Sequence, residues 1–132
     1  MILMLHSAPY FTAIGLLALV HARNVIRQRM TKQISLGDGG DEDLLVKMRV
    51  FGNFIEWAPL GLVLLIGLEI VQAPLWYLHL CGGSLLLGRV LHSIGLARVR
   101  GQSFGRFWGM VLTITSVFLG SIGVSLFSFF QP

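Results

Sequence analysis

The chain has 132 residues, 55% of them hydrophobic and 12% charged, about half the charged share of an ordinary soluble domain. That balance excludes a soluble globular protein and marks an integral membrane protein. The formal net charge of +4 accompanies no nucleic-acid motif and no interleaving of aromatic and basic residues, so no nucleic-acid partner is expected.

Runs free or nearly free of charge at residues 1–22, 50–68, 70–88 and 107–132 each approach or exceed the roughly 20 residues that a bilayer crossing requires. They predict an all-α, four-helix transmembrane bundle forming a single domain over 1–132, with helices near 4–31, 43–70, 74–98 and 104–130. The first run is expected to stay as a helix rather than be cleaved. No basic residue precedes it, and Arg23, Arg27 and Arg29 follow it, the reverse of a secretion signal. These arginines continue a helical spacing, so helix one should protrude as an amphipathic end.

The stretch "SLGDGGDEDLL" (35–45) is the one turn-rich segment. Gly37, Gly39 and Gly40 break the helix, and Asp41, Glu42 and Asp43 suit the positive amino end of the next, a solvated cap rather than a cation site. Helix two contains Pro59, which should kink it. Pro74 should start helix three after a short turn, making helices two and three an antiparallel hairpin. Cys81 stands alone in the apolar third run, so no intramolecular disulfide or cysteine metal site can form, and a packing role is expected. The four histidines, at 6, 21, 79 and 92, lack the i, i+4 pairing of a helical metal site; no metal is expected. In helix four, Gly105, Gly109, Thr113, Ser116, Gly120 and Gly123 recur every three or four positions and form a small-residue ridge for close helix packing. Phe127, Phe129 and Phe130 are expected to meet lipid or a neighbouring subunit.

All ten Lys and Arg residues lie at or near the first-to-second and third-to-fourth connections. The positive-inside rule puts both connections in the cytoplasm and both termini across the membrane from it.

Helix two carries the stretch that needs explaining, "RVFGNFIEWAP" (49–59). Arg49, Asn53 and Glu56 are spaced four and three apart and share one helix face. Glu56 lies roughly 10 Å deeper than Arg49 at 1.5 Å per residue, and an ionisable group there requires a partner or a site. Arg49 on its own face, or Arg89 and His92 on helix three, are the candidate partners. Two accounts of this face stand open: an internal polar network that fixes helix register, with Asn53 bonding across a helix contact, and a pocket for an anionic ligand that also bears an ammonium group, recognised by arginines and by the glutamate.

The order Arg49, Asn53, Glu56, Trp57, Pro59 resembles the second-helix signature of the membrane-associated proteins in eicosanoid and glutathione metabolism (MAPEG). The stretch "GRVLHSIGLARVRG" (88–101) is similar to the third helix of the branch holding microsomal prostaglandin E synthase and glutathione transferase. The resemblance implies a homotrimer embedded in membrane lipids, in the inner membrane if bacterial, with glutathione as co-substrate at subunit interfaces. Carried over by position, it implies that Arg49, Asn53 and Glu56 hold glutathione, that Arg89 and His92 line the same pocket, and that Arg23, ahead of Arg27, reaches in from the neighbouring subunit. It further implies that Arg106 is the catalytic arginine that stabilises the thiolate, which attacks a lipophilic small molecule by addition, epoxide opening or hydroperoxide reduction. Leu96 and Trp57 stand where eicosanoid-forming relatives carry tyrosine, Gly52 stands where relatives often have a polar side chain, and Asn24 stands where some have a second arginine. Eicosanoid substrates are accordingly not expected. A non-catalytic lipid-binding or scaffold member of the family is the alternative. A small multidrug exporter would have its glutamate in the first helix and a weak charge bias, which this chain does not.

Overall fold

A computed structural model describes residues 6–130. Four helices follow in order: α1 (Ala8–Lys32), α2 (Glu42–Ile70), α3 (Leu75–Arg98) and α4 (Phe104–Ser128). Each is long and apolar enough to cross a membrane, and the chain is an all-α, multi-pass membrane four-helix bundle. The expected start of helix one near residue 4 falls outside the described residues; α1 begins at Ala8, behind Ser7 as its cap. Helix four ends at Ser128, with Phe129 and Phe130 in a turn.

Local chemistry explains the ends. Gln33 takes a left-handed conformation (φ 55°) and closes α1, with the Ile34 amide donating to the Arg29 carbonyl at 3.0 Å, the backbone form of a helix stop. In the loop that follows, Gly37, Gly39 and Gly40 all have positive φ, which glycine adopts without steric cost. Asp41 caps α2, accepting from the Leu44 amide at 2.7 Å and pairing with Lys32 at 3.2 Å. The acidic cluster is thus a helix cap. α2 continues unbroken through Pro59, and Pro74 is the cap residue of α3. At the opposite end of the bundle the Glu69 carboxylate accepts from the Ser7 hydroxyl and the His6 amide, so the end of α2 supplies the anion that the amino end of α1 lacks in its own first turn.

The Leu44 amide, and then Lys32 and Gln28, hold the Asp41 carboxyl below its ordinary value of 3.8. A carboxyl depressed on folding contributes stability that is complete above its unfolded value and is lost as pH falls through its lowered folded value. Asparagine caps as well as aspartate but does not titrate. Thermal unfolding in detergent should therefore show a smaller loss of midpoint for Asp41→Asn than for the native chain as pH falls from about 4 to 2.

The core comprises Ile14 of α1, Phe54, Ala58, Leu65 and Leu68 of α2, and Leu78, Cys81 and Leu85 of α3. The closest helix pair is α3 with α4. Gly109, Thr113, Ser116, Gly120 and Gly123 are all buried, so five of the six ridge positions face inward as the spacing predicts, and Gly105 lies half-buried beside Gly95. Hydroxyls stitch the pair: Ser116 donates to the Cys81 carbonyl and Tyr77 to the Leu119 carbonyl, each at 2.7 Å. Phe127 departs from expectation. It packs edge-on against Tyr77 with ring centres 5.2 Å apart, because its position continues the inward face of α4, while Phe129 and Phe130 are exposed.

Candidate functional site

The two basic connections lie at one end of the bundle, where Arg100, just beyond α3, forms an exposed ion pair with Glu42 in the first turn of α2. Here α2, α3 and α4 enclose a cavity of about 490 Å³. Each helix contributes residues one turn apart: Arg49 and Asn53 from α2, His92 and Leu96 from α3, Arg106 and Met110 from α4, as the four-residue repeat of a helix face requires. Arg100 and Glu42 complete the rim. Three guanidinium groups thus face a space that holds one carboxylate, and that carboxylate is paired with one of the three, Arg100.

Arg89 stands behind the wall. It is 1% exposed, and its Nη1 donates to the Asn53 side-chain oxygen at 3.0 Å and to the Asn53 carbonyl at 3.3 Å, while Nε donates to the Thr113 hydroxyl at 2.9 Å. The Thr113 hydroxyl in turn donates a hydrogen bond to the Gly109 carbonyl at 2.8 Å. Nη2 is buried without a protein partner. One side chain therefore ties α2, α3 and α4 together and fixes the register of Asn53, the polar network that the sequence allows as one account of this face. Its positive charge lies in a low-dielectric setting, where it is felt further than in water.

His92 is also locked. Its Nδ1 lies 3.0 Å from the Arg106 carbonyl; a carbonyl only accepts, so Nδ1 carries the proton and the neutral ring has its free lone pair on Nε2. Arg106 occupies the first turn of α4, its amide donating to the cap hydroxyl of Ser103 at 3.3 Å and its Nη1 to the Gly101 carbonyl at 2.6 Å. Backbone and head group are both held at the cavity's edge.

The remaining expected residues are elsewhere. Glu56 is exposed on the outer surface of α2 and forms no ion pair among the described residues, so the pairing with Arg49, Arg89 or His92 expected from sequence is corrected: Arg89 and His92 turn to Asn53, Thr113 and the Arg106 backbone, and Glu56 points away from them. Arg23, on α1, is exposed and outside the cavity. Thr113 as the seat of Arg89, and Glu42 with Arg100 as the rim, escape a sequence reading. Thr113 reads as one more small ridge residue, and loop charges read as topology signals.

Deeper in the membrane zone the same α2 and α4 faces continue as an apolar groove of about 760 Å³. Trp57 lies one turn beyond Asn53, and Ile114 one turn beyond Met110, followed by Phe118, Ile122 and Leu126. Ser121 and Ser125 also line it, but their hydroxyls are spent on the Val117 and Ser121 carbonyls of their own helix at 2.8 and 3.2 Å. The groove is apolar in effect as well as in composition.

A four-helix membrane bundle with a cavity of arginines at its basic end and an apolar groove one turn further along the same two helices is the class of protein that this geometry defines. The MAPEG family profile matches residues 7–126, and the chain belongs to the MAPEG family. It is 34% identical over 110 residues to the inner membrane protein YecN of Escherichia coli strain K12, covering 80% of this chain and 84% of the relative, and equally so to YecN of Escherichia coli O6:H1. No solved structure matches it significantly.

Proposed function

We propose that this protein is a glutathione-dependent transferase or peroxidase that acts on lipophilic electrophiles, working as a homotrimer in the inner membrane with both termini opposite the cytoplasm. The observation that carries the reading is that Arg49, Asn53, His92 and Arg106, far apart in sequence, line one cavity. Its donor set suits glutathione. Arg49 matches one carboxylate through a bidentate fork, Arg100 would match the other by exchanging its exposed pair with Glu42, and about 490 Å³ falls within the usual span of small-ligand sites. Bound there, glutathione would supply a thiol that reacts as its thiolate. Arg106 would favour that charge, and Arg89 behind the wall would reinforce the field while holding Asn53 in place. The apolar groove would bring the electrophile from the bilayer to the cavity.

The trimer is supported by Glu56, an exposed carboxylate in the membrane zone that is costly against lipid and that a neighbouring copy would cover, with Arg23 facing outward from α1 to reach the neighbour's cavity. The inner-membrane location is supported by the name of the YecN relatives, and the orientation by the gathering of basic residues at one end. The size of the groove favours a second reading, a non-catalytic lipid-binding member of the family.

Calorimetry of glutathione binding to the detergent-purified protein separates the two. The native chain should bind glutathione, and Arg49→Ala should weaken binding about 10- to 100-fold through loss of a charge-assisted bond. No heat at millimolar glutathione would reject the transferase reading and leave the lipid binder.

A further inference from the structure

The other flank of α2 holds a second crevice, which shares only Val46 and Arg100 with the first. Between α1, α2 and α3 a cavity of about 570 Å³ opens at the basic end. A smaller one of about 330 Å³ between α1 and α2 adjoins it. The two share Asn24 and Lys47 and form one channel along the α1 and α2 interface. Its inner wall is largely apolar, built from Val46, Val50, Ile94 and Ala97, with His21, whose Nε2 is buried without a protein partner, among them. Its outer part is basic: Arg27 lines the smaller space, Lys47 the junction, and Arg98 and Arg100 the larger. Asp43 is its one acid, four residues before Lys47 on α2.

Arg100 is paired with Glu42 at the rim, whereas Lys47, Arg27 and Arg98 form no ion pair among the described residues. Lys47 is aimed by a relay, its ammonium donating to the Gln28 side chain at 2.6 Å while Gln28 donates to the Asp41 cap at 3.2 Å, which leaves two of its three protons for a ligand. The Arg27 and Arg98 guanidinium groups have no hydrogen-bond or ion-pair partner among the described residues. Ser93, buried to 7% exposure, lines the channel with its hydroxyl likewise uncommitted. Basic groups outnumber acids, they ring the mouth, and apolar walls run inward from them at the end of the bundle where basic residues meet the membrane surface.

We propose that this channel binds the phosphate of an anionic phospholipid, with Lys47, Arg27 and Arg98 holding the phosphate and the apolar wall of α2 and α3 taking the first part of an acyl chain. A zwitterionic lipid lacks the net charge to match the excess of cations, and a free phosphate lacks the chain that the inner wall would cover. Each basic residue near an anionic head group contributes about fivefold in affinity.

Native mass spectrometry of the full chain released from detergent, with phosphatidylglycerol or phosphatidylcholine added, tests the site. Phosphatidylglycerol should be retained in preference to phosphatidylcholine. Lys47→Gln/Arg98→Gln should weaken retention about 25-fold and Arg27→Gln alone about fivefold, whereas Arg23→Gln, exposed and outside the channel, should leave it unchanged. Arg49→Ala should also leave it unchanged, since Arg49 lines the other cavity. Millimolar inorganic phosphate should not displace the lipid. Equal retention of the two lipids, a double variant that binds as the native chain does, or displacement by phosphate alone would overturn the assignment, the last by making a soluble phosphate ester the ligand.

Discussion

Gly109→Val is expected to destabilise the bundle by about 3 kcal/mol, at the upper end of what overpacking usually costs. A side chain at position 109 would meet the Gly88 carbonyl oxygen at 2.7 Å and the His92 Cα at 2.8 Å. Both are backbone atoms of a neighbouring helix, so no rotamer change relieves the clash and α4 must move away from α3. Within a membrane that movement forfeits the principal stabilisation available, since helices there associate through close van der Waals contact and interhelical hydrogen bonds rather than the hydrophobic effect. The damage should also reach the site. The Arg106 carbonyl that orients His92 and the Thr113 hydroxyl that seats Arg89 both ride on α4. Gly83 is the matched control: it is a helix residue of α3 with no neighbour within 4 Å of an added carbon, and Gly83→Ala should be neutral or stabilise by up to about 1 kcal/mol. Thermal unfolding in detergent reads both variants. A Gly109→Val midpoint within a degree of the native one would show that α3 and α4 do not depend on this contact.

That contact also shows how far the fold is legible in the chain. The small-residue ridge of α4 is periodic, and periodicity identifies a face without a partner being known; five of its positions are buried as a result. What the ridge packs against is not periodic in the same way. Gly88 and Gly95 of α3 lie against Gly109 and Gly105, a pairing fixed only when the short connection after Arg98 sets the register of the two helices. The site divides similarly. Arg49, Asn53, His92 and Arg106 can be collected by their resemblance to a family, and they do share one cavity. Which of several polar residues bonds which is settled by distances between helices. Glu56 and Arg89 are opposite charges that sequence reasoning would pair; the helix rotation instead turns Glu56 outward and gives Arg89 the neutral oxygens of Asn53 and Thr113. Phe127 illustrates the same limit, since a terminal aromatic on a membrane helix looks lipid-facing until Tyr77 is found against it.

Arg106→Gln is the substitution with the largest expected effect on activity. Under the glutathione reading, the role of Arg106 is electrostatic. A free thiol ionises near pH 8.5, and a neighbouring fixed cation in a partly desolvated cavity lowers that value by favouring the thiolate. Glutamine keeps hydrogen-bonding capacity at the position but removes the charge, so the bound thiol should return about one to two pH units toward its free value, with the rate at neutral pH falling roughly 10- to 100-fold. Affinity for glutathione should change little, because the carboxylates are assigned to Arg49 and Arg100. Arg106→Lys should recover part of the loss, but only part, since the planar fork that donates to the Gly101 carbonyl at 2.6 Å has no equivalent in an ammonium. The measurement is a titration of thiolate ultraviolet absorbance for protein saturated with glutathione, run beside the pH profile of conjugation. A parallel shift in both assigns the ionising group to the bound thiol and the field to Arg106. A thiol that ionises in the native protein just as it does in water would mean that the arginines hold glutathione without activating it, which is the behaviour of a binding member of the family rather than an enzyme.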